Sequence, residues 1–157
     1  QVDRFMLKVN ITYPKPEEEK LIIRQNIQRE KKEIKPILKP EDIIEARKVV
    51  QQVYLDENIE KYIVDIVHAT RFPELCGLEH LKDMISFGGS PRASINLALA
   101  AKAYAFIEGK GYVVPEHVRA IAMDVLRHRI GLSYEAEANN MTTEEIINEI
   151  LNSVEVP

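Results

Sequence analysis

The chain opens on alternating apolar positions, Phe5, Leu7, Val9 and Ile11, interleaved with Met6, Lys8 and Asn10. A period of two predicts a strand with one buried face. A strand needs a partner, and none is legible before the short run Gly131-Leu132-Ser133-Tyr134, so this one is expected to complete a sheet lying upstream of Gln1. At Tyr13-Pro14-Lys15-Pro16 the prolines fix φ and extend the residues before them, giving a stiff joint that reads as a hinge.

Beyond the joint the period becomes helical. Glu17, Glu18 and Glu19 suit the first turn of a helix carrying Leu21, Ile22 and Ile27, expected to end near Arg29 or Glu30. Pro40-Glu41-Asp42 opens a second, with Ile43, Ile44, Val49, Val50 and Val53 on its stripe. Asp56 caps a third, with Ile59, Tyr62, Ile63, Ile66 and Val67 inward, and these two helices are expected to pack antiparallel. Residues 71–89 are a long connection, read as a functional loop or as holding a short helix or hairpin. From Pro91 to about Glu108 the pattern is apolar on nearly every side and rich in alanine, the mark of a central helix. Pro115-Glu116 starts another, ending at Arg127-His128-Arg129, and Thr142-x-x-Glu145 is a capping box ahead of Ile146, Ile147, Ile150 and Leu151. The expected fold class is all-α, a helical bundle preceded by one N-terminal strand.

At 157 residues with 45% apolar and 29% charged, the chain can bury a core of its own. A net charge of −4 disfavours whole-domain attraction to DNA or an acidic membrane. Locally the balance differs: Arg24 to Lys39 carries six basic and two acidic residues, whereas from Glu135 onward there are six Glu and no Lys or Arg. The first reads as a solvated stretch and the second as an end that docks on a basic face. The lone Cys76 excludes an intrachain disulfide and suits a reducing compartment, and with no apolar run of membrane-spanning length or secretory signal a cytoplasmic location is expected. His68, His80, His117 and His128 form no metal pattern with Cys76, so no metal site is expected.

Gly88-Gly89-Ser90-Pro91-Arg92 carries the most chemistry. Ser90 is a preferred N-cap and Pro91 a favoured first helical residue, but Arg92 puts a cation where the helix dipole already presents positive charge. A bound anion removes that conflict, with free helix amides and a guanidinium fork making a phosphate site; an Arg92 turned to solvent is the other reading. Arg4, beside Asp3 at the start of the predicted strand, reads either as half of an exposed ion pair or as facing a partner subunit. Arg127, His128 and Arg129 complement the negative end of their helix. No self-contained active site is legible.

Taken together, Gln1-Val2-Asp3-Arg4-Phe5, Tyr13-Pro14, Tyr62 through Ala69-Thr70-Arg71, Gly88 to Ala93, Tyr112-Val113 with Pro115-Glu116-His117-Val118, and Val125 to Arg129 resemble the C-terminal part of a MoxR-type ATPase of the AAA+ superfamily. The departures are Val2, where Leu is usual, and Gly89, where Ala is common. The resemblance implies residues 1–14 as the end of the AAA+ core, 15–134 as a helical lid domain and 135–157 as a C-terminal acidic helix outside the recognised part. It makes Arg4 the arginine finger that reaches ATP in a neighbouring subunit. It makes Arg92, with Ser90 and Pro91, the sensor 2 end of a lid helix, touching nucleotide of its own subunit. Walker A, Walker B and sensor 1 would all precede Gln1, so this stretch alone is expected to be inactive, with ATP and magnesium held by the core. A hexameric ring, chaperone work in the maturation of protein complexes, and partners with von Willebrand factor A domains are further implications. The competing expectation is a non-catalytic helical module that binds other proteins.

Overall fold

Helices begin where the capping chemistry puts them. In the computed structural model, which describes residues 1–27 and 34–157, the Asp56 carboxylate accepts the Asn58 amide at 2.9 Å, and Thr142 and Glu145 cap one another reciprocally. Asp42 reaches back to the Lys39 amide at 2.8 Å. Among the described residues lie seven α-helices: α1 (Pro16–Ile27), α2 (Pro40–Gln52), α3 (Glu57–Ala69), α4 (Pro91–Ile107), α5 (Pro115–Leu126), α6 (Tyr134–Ala138) and α7 (Thr143–Ser153). Two short strands, β1 (Ile85–Phe87) and β2 (Gly131–Leu132), pair antiparallel. The all-helical class is as expected.

The core is built around α4, which packs on α3, α5 and α2. Ala93, Leu97, Ala101 and Ala105 are fully buried, and the small side chains let the neighbouring helices approach closely. Burial is nevertheless one-sided, since Ile95, Leu99 and Ile107 remain largely exposed. Tyr62, Ile66 and Val67 of α3, Val118, Val125 and Leu126 of α5, and Ile146, Ile147 and Ile150 of α7 complete the interior. Each such buried side chain contributes about 1.5–3 kcal/mol relative to exposure.

Several expectations change. Residues 5–11 pair with no strand among the described residues, and the sheet expected to hold them is not part of this stretch; a 3-10 turn at Val2–Arg4 leads in, and Phe5, Val9 and Ile11 are exposed. The period of two is present, but the backbone partners come from α5 and the residues after it: the Lys8 amide donates to the Asp124 carbonyl at 2.8 Å. The predicted antiparallel pairing of α2 with α3 gives way to α2 lying on α4, where Lys102 donates to the Gln51 carbonyl at 2.8 Å. The turn between α2 and α3 is held by the α4–α5 connection, since Tyr54 accepts from the Val113 amide and donates to the Gly111 carbonyl, both at 2.9 Å.

Residues 71–89 contain two 3-10 turns, Pro73–Cys76 and Glu79–Leu81, followed by β1, with Leu78 and Leu81 in the core. Neither α1 nor α2 buries a residue. The expected end of α1 near Arg29 or Glu30 falls in residues 28–33, outside the described residues, as does the middle of the basic stretch; Arg24, Lys35 and Lys39 are exposed. The acidic end docks on this same chain, with Glu144 3.2 Å from Arg127 Nε and Glu149 2.7 Å from His80 Nε2.

Candidate functional site

The site begins at the turn that aims α4. Thr70, fully buried at the end of α3, donates its hydroxyl to the Val67 carbonyl at 2.6 Å and accepts the Gly89 amide at 2.8 Å. Gly88 passes so close to this helix end that a Cβ there would lie 2.2 Å from the Thr70 carbonyl oxygen. Only glycine permits that approach. The chain then enters α4 through Ser90, whose Oγ accepts the Arg92 amide at 3.3 Å, and Pro91.

The helix mouth differs from the expectation of free amides. Pro91 has none, the Arg92 amide goes to Ser90 Oγ, and the Ala93 amide donates to the Ser90 carbonyl at 2.8 Å. Capacity for an anion therefore lies in side chains. Arg92 is half exposed, with Nη1 3.9 Å from the Asp3 carboxylate, too long for a hydrogen bond.

Asp3 organises the surroundings. One carboxylate oxygen accepts from Ser90 Oγ at 3.1 Å, and the other accepts from Arg129 Nε at 3.0 Å. The sequence pairs Asp3 with its neighbour Arg4, but the structure gives Arg4 different company: its guanidinium donates to the Gln1 carbonyl at 3.2 Å and the Gln1 side-chain oxygen at 2.7 Å, and it stays exposed. Gln1, Asp3, Arg4 and Arg92 line one open depression. Two candidate arginines 88 positions apart thus share a surface feature, while Ser90 and Pro91 supply the cap and the start of the helix that carries Arg92.

Arg129 is the residue sequence reasoning undervalued. Its side chain is fully buried, and it donates to the Asp3 carbonyl at 2.9 Å, the Met6 carbonyl at 3.2 Å, and the Phe5 and Val125 carbonyls, besides the Asp3 carboxylate. Its neighbours act alike. His128 Nε2 donates to the Phe5 carbonyl at 2.9 Å, and Arg127 donates to the Lys8 carbonyl and to Asp124, both at 2.8 Å. Burial, aided by the charges of Arg129 and Lys8, holds the His128 pKa below its ordinary value, although the bond to Phe5 opposes the shift. Three residues that suit a helix dipole on paper thus hold the segment 3–8 against the end of α5. The clue in the sequence was their number, since one cation satisfies a dipole.

Two further polar features are structural. The His117 ring, buried between α4 and α5, accepts the Val114 amide on Nδ1 at 3.2 Å, which leaves Nε2–H facing Glu108 at 3.4 Å. Among the described residues no group of three or more His, Cys, Asp or Glu is placed to hold a metal ion, and no helix is long and apolar enough to cross a membrane. Cys76 is a free thiol, partly buried against the core.

Residues 79–150 match the AAA lid domain family. Chaperone MoxR1 of Mycobacterium tuberculosis is 38% identical over the whole of this chain, which covers 41% of that protein. Protein MoxR of Paracoccus denitrificans is 38% identical over 79 residues, 48% of this chain and 23% of the relative. A crystal structure from Cytophaga hutchinsonii, described as a candidate ATPase, superposes with a TM-score of 0.95 at 41% identity, covering 99% of this chain and 48% of the other. The chain spans less than half the length of these relatives. With a match to MoxR1 that runs from end to end of this chain, and an AAA lid-domain match inside it, the chain resembles the lid-bearing part of a MoxR-type AAA+ protein.

Proposed function

We propose that this chain works within an ATP-hydrolysing AAA+ chaperone, with Arg4 as its arginine finger and Arg92 as its sensor 2 residue. The observation that carries the reading is the depression lined by both guanidiniums, each solvent-facing and neither in a bidentate pair with a carboxylate. Guanidiniums match phosphate oxygens in geometry and charge. During phosphoryl transfer negative charge develops on the transferred group and its bridging oxygen, and a well-placed arginine finger is worth roughly 10³ to 10⁵ in rate. ATP and its magnesium would be held by Walker residues outside this stretch. Ser90 and Pro91 would act by fixing the start of α4, hence the aim of Arg92.

The shared depression bears on which nucleotide each arginine meets. By family resemblance Arg4 acts across a subunit boundary and Arg92 within its own subunit. Their common placement favours one triphosphate for both. A ring, hexameric by resemblance, follows from a finger that serves a neighbour. Cytoplasmic work on maturing protein complexes, with von Willebrand factor A domain partners, is the physiological setting proposed.

In the full-length protein, Arg4→Ala is expected to lower turnover by about 10³-fold or more while nucleotide still binds. Arg92→Ala is expected to weaken nucleotide binding or turnover. Mixing each variant with subunits unable to bind nucleotide shows whether the arginine is needed in the subunit that binds ATP or in its neighbour. Wild-type hydrolysis in Arg4→Ala and Arg92→Ala rings would remove the reading. The competing idea of a non-catalytic interaction module draws on the exposed Leu21, Ile22, Ile23 and Ile27 of α1. Absence of ATPase activity in the full-length protein would favour it.

A further inference from the structure

Arg129 lies 125 positions from Arg4, is fully buried, and spends its donors on the turn that carries Arg4. A buried guanidinium is costly unless every donor is matched, and here the matching groups are the carboxylate and carbonyl of Asp3 and the carbonyls of Phe5, Met6 and Val125. Four of those five acceptors belong to residues 3–6. A side chain needed only to stabilise the end of α5 would have no use for them. The second oxygen of the same Asp3 carboxylate accepts from Ser90 Oγ, the N-cap that sets the direction of Arg92.

We infer that Asp3 and Arg129 are positioning residues that join the Arg4 turn to the lid, so that Arg4 and Arg92 move as one unit with a fixed separation. Asp3 is the joint: one oxygen on Arg129 anchors it to α5, and the other on Ser90 ties it to α4. Arg127 and His128 extend the attachment to Lys8 and Phe5. The Tyr13 to Pro16 joint then lies beyond the anchored segment. Lid movement would carry the finger with it, and nucleotide contact at one arginine would constrain the other. This inference rests on the reading of Arg4 and Arg92 as phosphate contacts.

The experiment uses the full-length protein and compares Asp3→Asn, Asp3→Glu and Arg129→Lys with wild type and Arg4→Ala. Asp3→Asn keeps an acceptor for Ser90 and removes the charge facing Arg129. The expected result is a fall in kcat of about 10- to 100-fold with nucleotide affinity within about threefold, since misplacement of a catalytic group by an ångström costs rate on the order of 10²-fold. Asp3→Glu should recover part of the loss. Amide exchange should quicken at residues 3–8 while the interiors of α4 and α5 keep their protection. Unchanged exchange at residues 3–8 in Asp3→Asn overturns the inference, and so does faster exchange with wild-type kcat. Should Arg129→Lys fail to fold, the two Asp3 variants carry the test. If Arg4→Ala turns over normally the phosphate reading fails, and exchange at residues 3–8 still decides separately whether Asp3 and Arg129 hold the turn.

Discussion

Arg129 and Arg92 stand on opposite sides of the same Asp3 carboxylate and show two uses of one side chain. Arg129 is sealed from water, with acceptors on two elements, whereas Arg92 is 55% exposed and merely passes within 3.9 Å of the carboxylate. A buried, fully matched guanidinium holds structure together and has no donors left for a ligand. An exposed one beside a carboxylate it does not engage keeps its donors in reserve, at little cost in stability. Proximity to a shared carboxylate therefore says nothing about role; burial and the count of satisfied donors do.

That contrast is sharpest in stability. Arg129→Met should destabilise the protein by about 3 kcal/mol, toward the low end for a broken buried pair because the remaining Asp3 carboxylate can hydrate. Arg92→Ala should stay within about 0.5 kcal/mol of wild type. Urea denaturation of the two variants checks both, and equal effects would break the comparison.

A smaller effect is expected at the turn that aims Arg92. Gly88→Ala drives a methyl group against the Thr70 carbonyl, and relief must come from backbone movement, at a cost of about 1–3 kcal/mol. The variant should also lose nucleotide affinity if the start of α4 shifts, readable by titration with a fluorescent ATP analogue.

The smallest effect concerns pH and belongs to the anchored side. His128 has a folded-state pKa below its ordinary value of 6.5, so the unfolded chain binds the proton more readily. Its contribution is fully present above that value and is lost as pH falls through it toward the depressed folded pKa. Thermal melts of wild type and His128→Gln from pH 7.5 to 5.5 should converge at the acid end, the wild type losing more.

How much of this was legible depended on the range of the interaction. The caps at Asp56, Ser90 and Thr142 were readable because donor and acceptor lie within three residues of each other. The bulk of the core was readable as well, since helical spacing in α3, α5 and α7 reports which side faces inward. The pairing of β1 with β2 was not, because strands of three and two residues carry no usable period. α6 escaped for a similar reason, being only five residues long. Residues 5–11 show the limit of a period: alternation is a side-chain pattern, a strand is defined by backbone partners, and the partners within this chain are a helix end and the side chains of Arg127, His128 and Arg129. At the candidate site, Ser90, Pro91 and Arg92 announced themselves through an awkward cation at a helix start. The tie between Asp3 and Arg129 crosses 126 positions and leaves no local trace.

The last helix reaches further than its place in the chain suggests. Glu144 of α7 contacts Arg127, and Arg127 in turn grips Lys8 on the stretch that leads away from Arg4. A basic protein surface that drew Glu144 away would loosen a brace on the segment that carries Arg4, making the C-terminal end a handle on the opposite terminus.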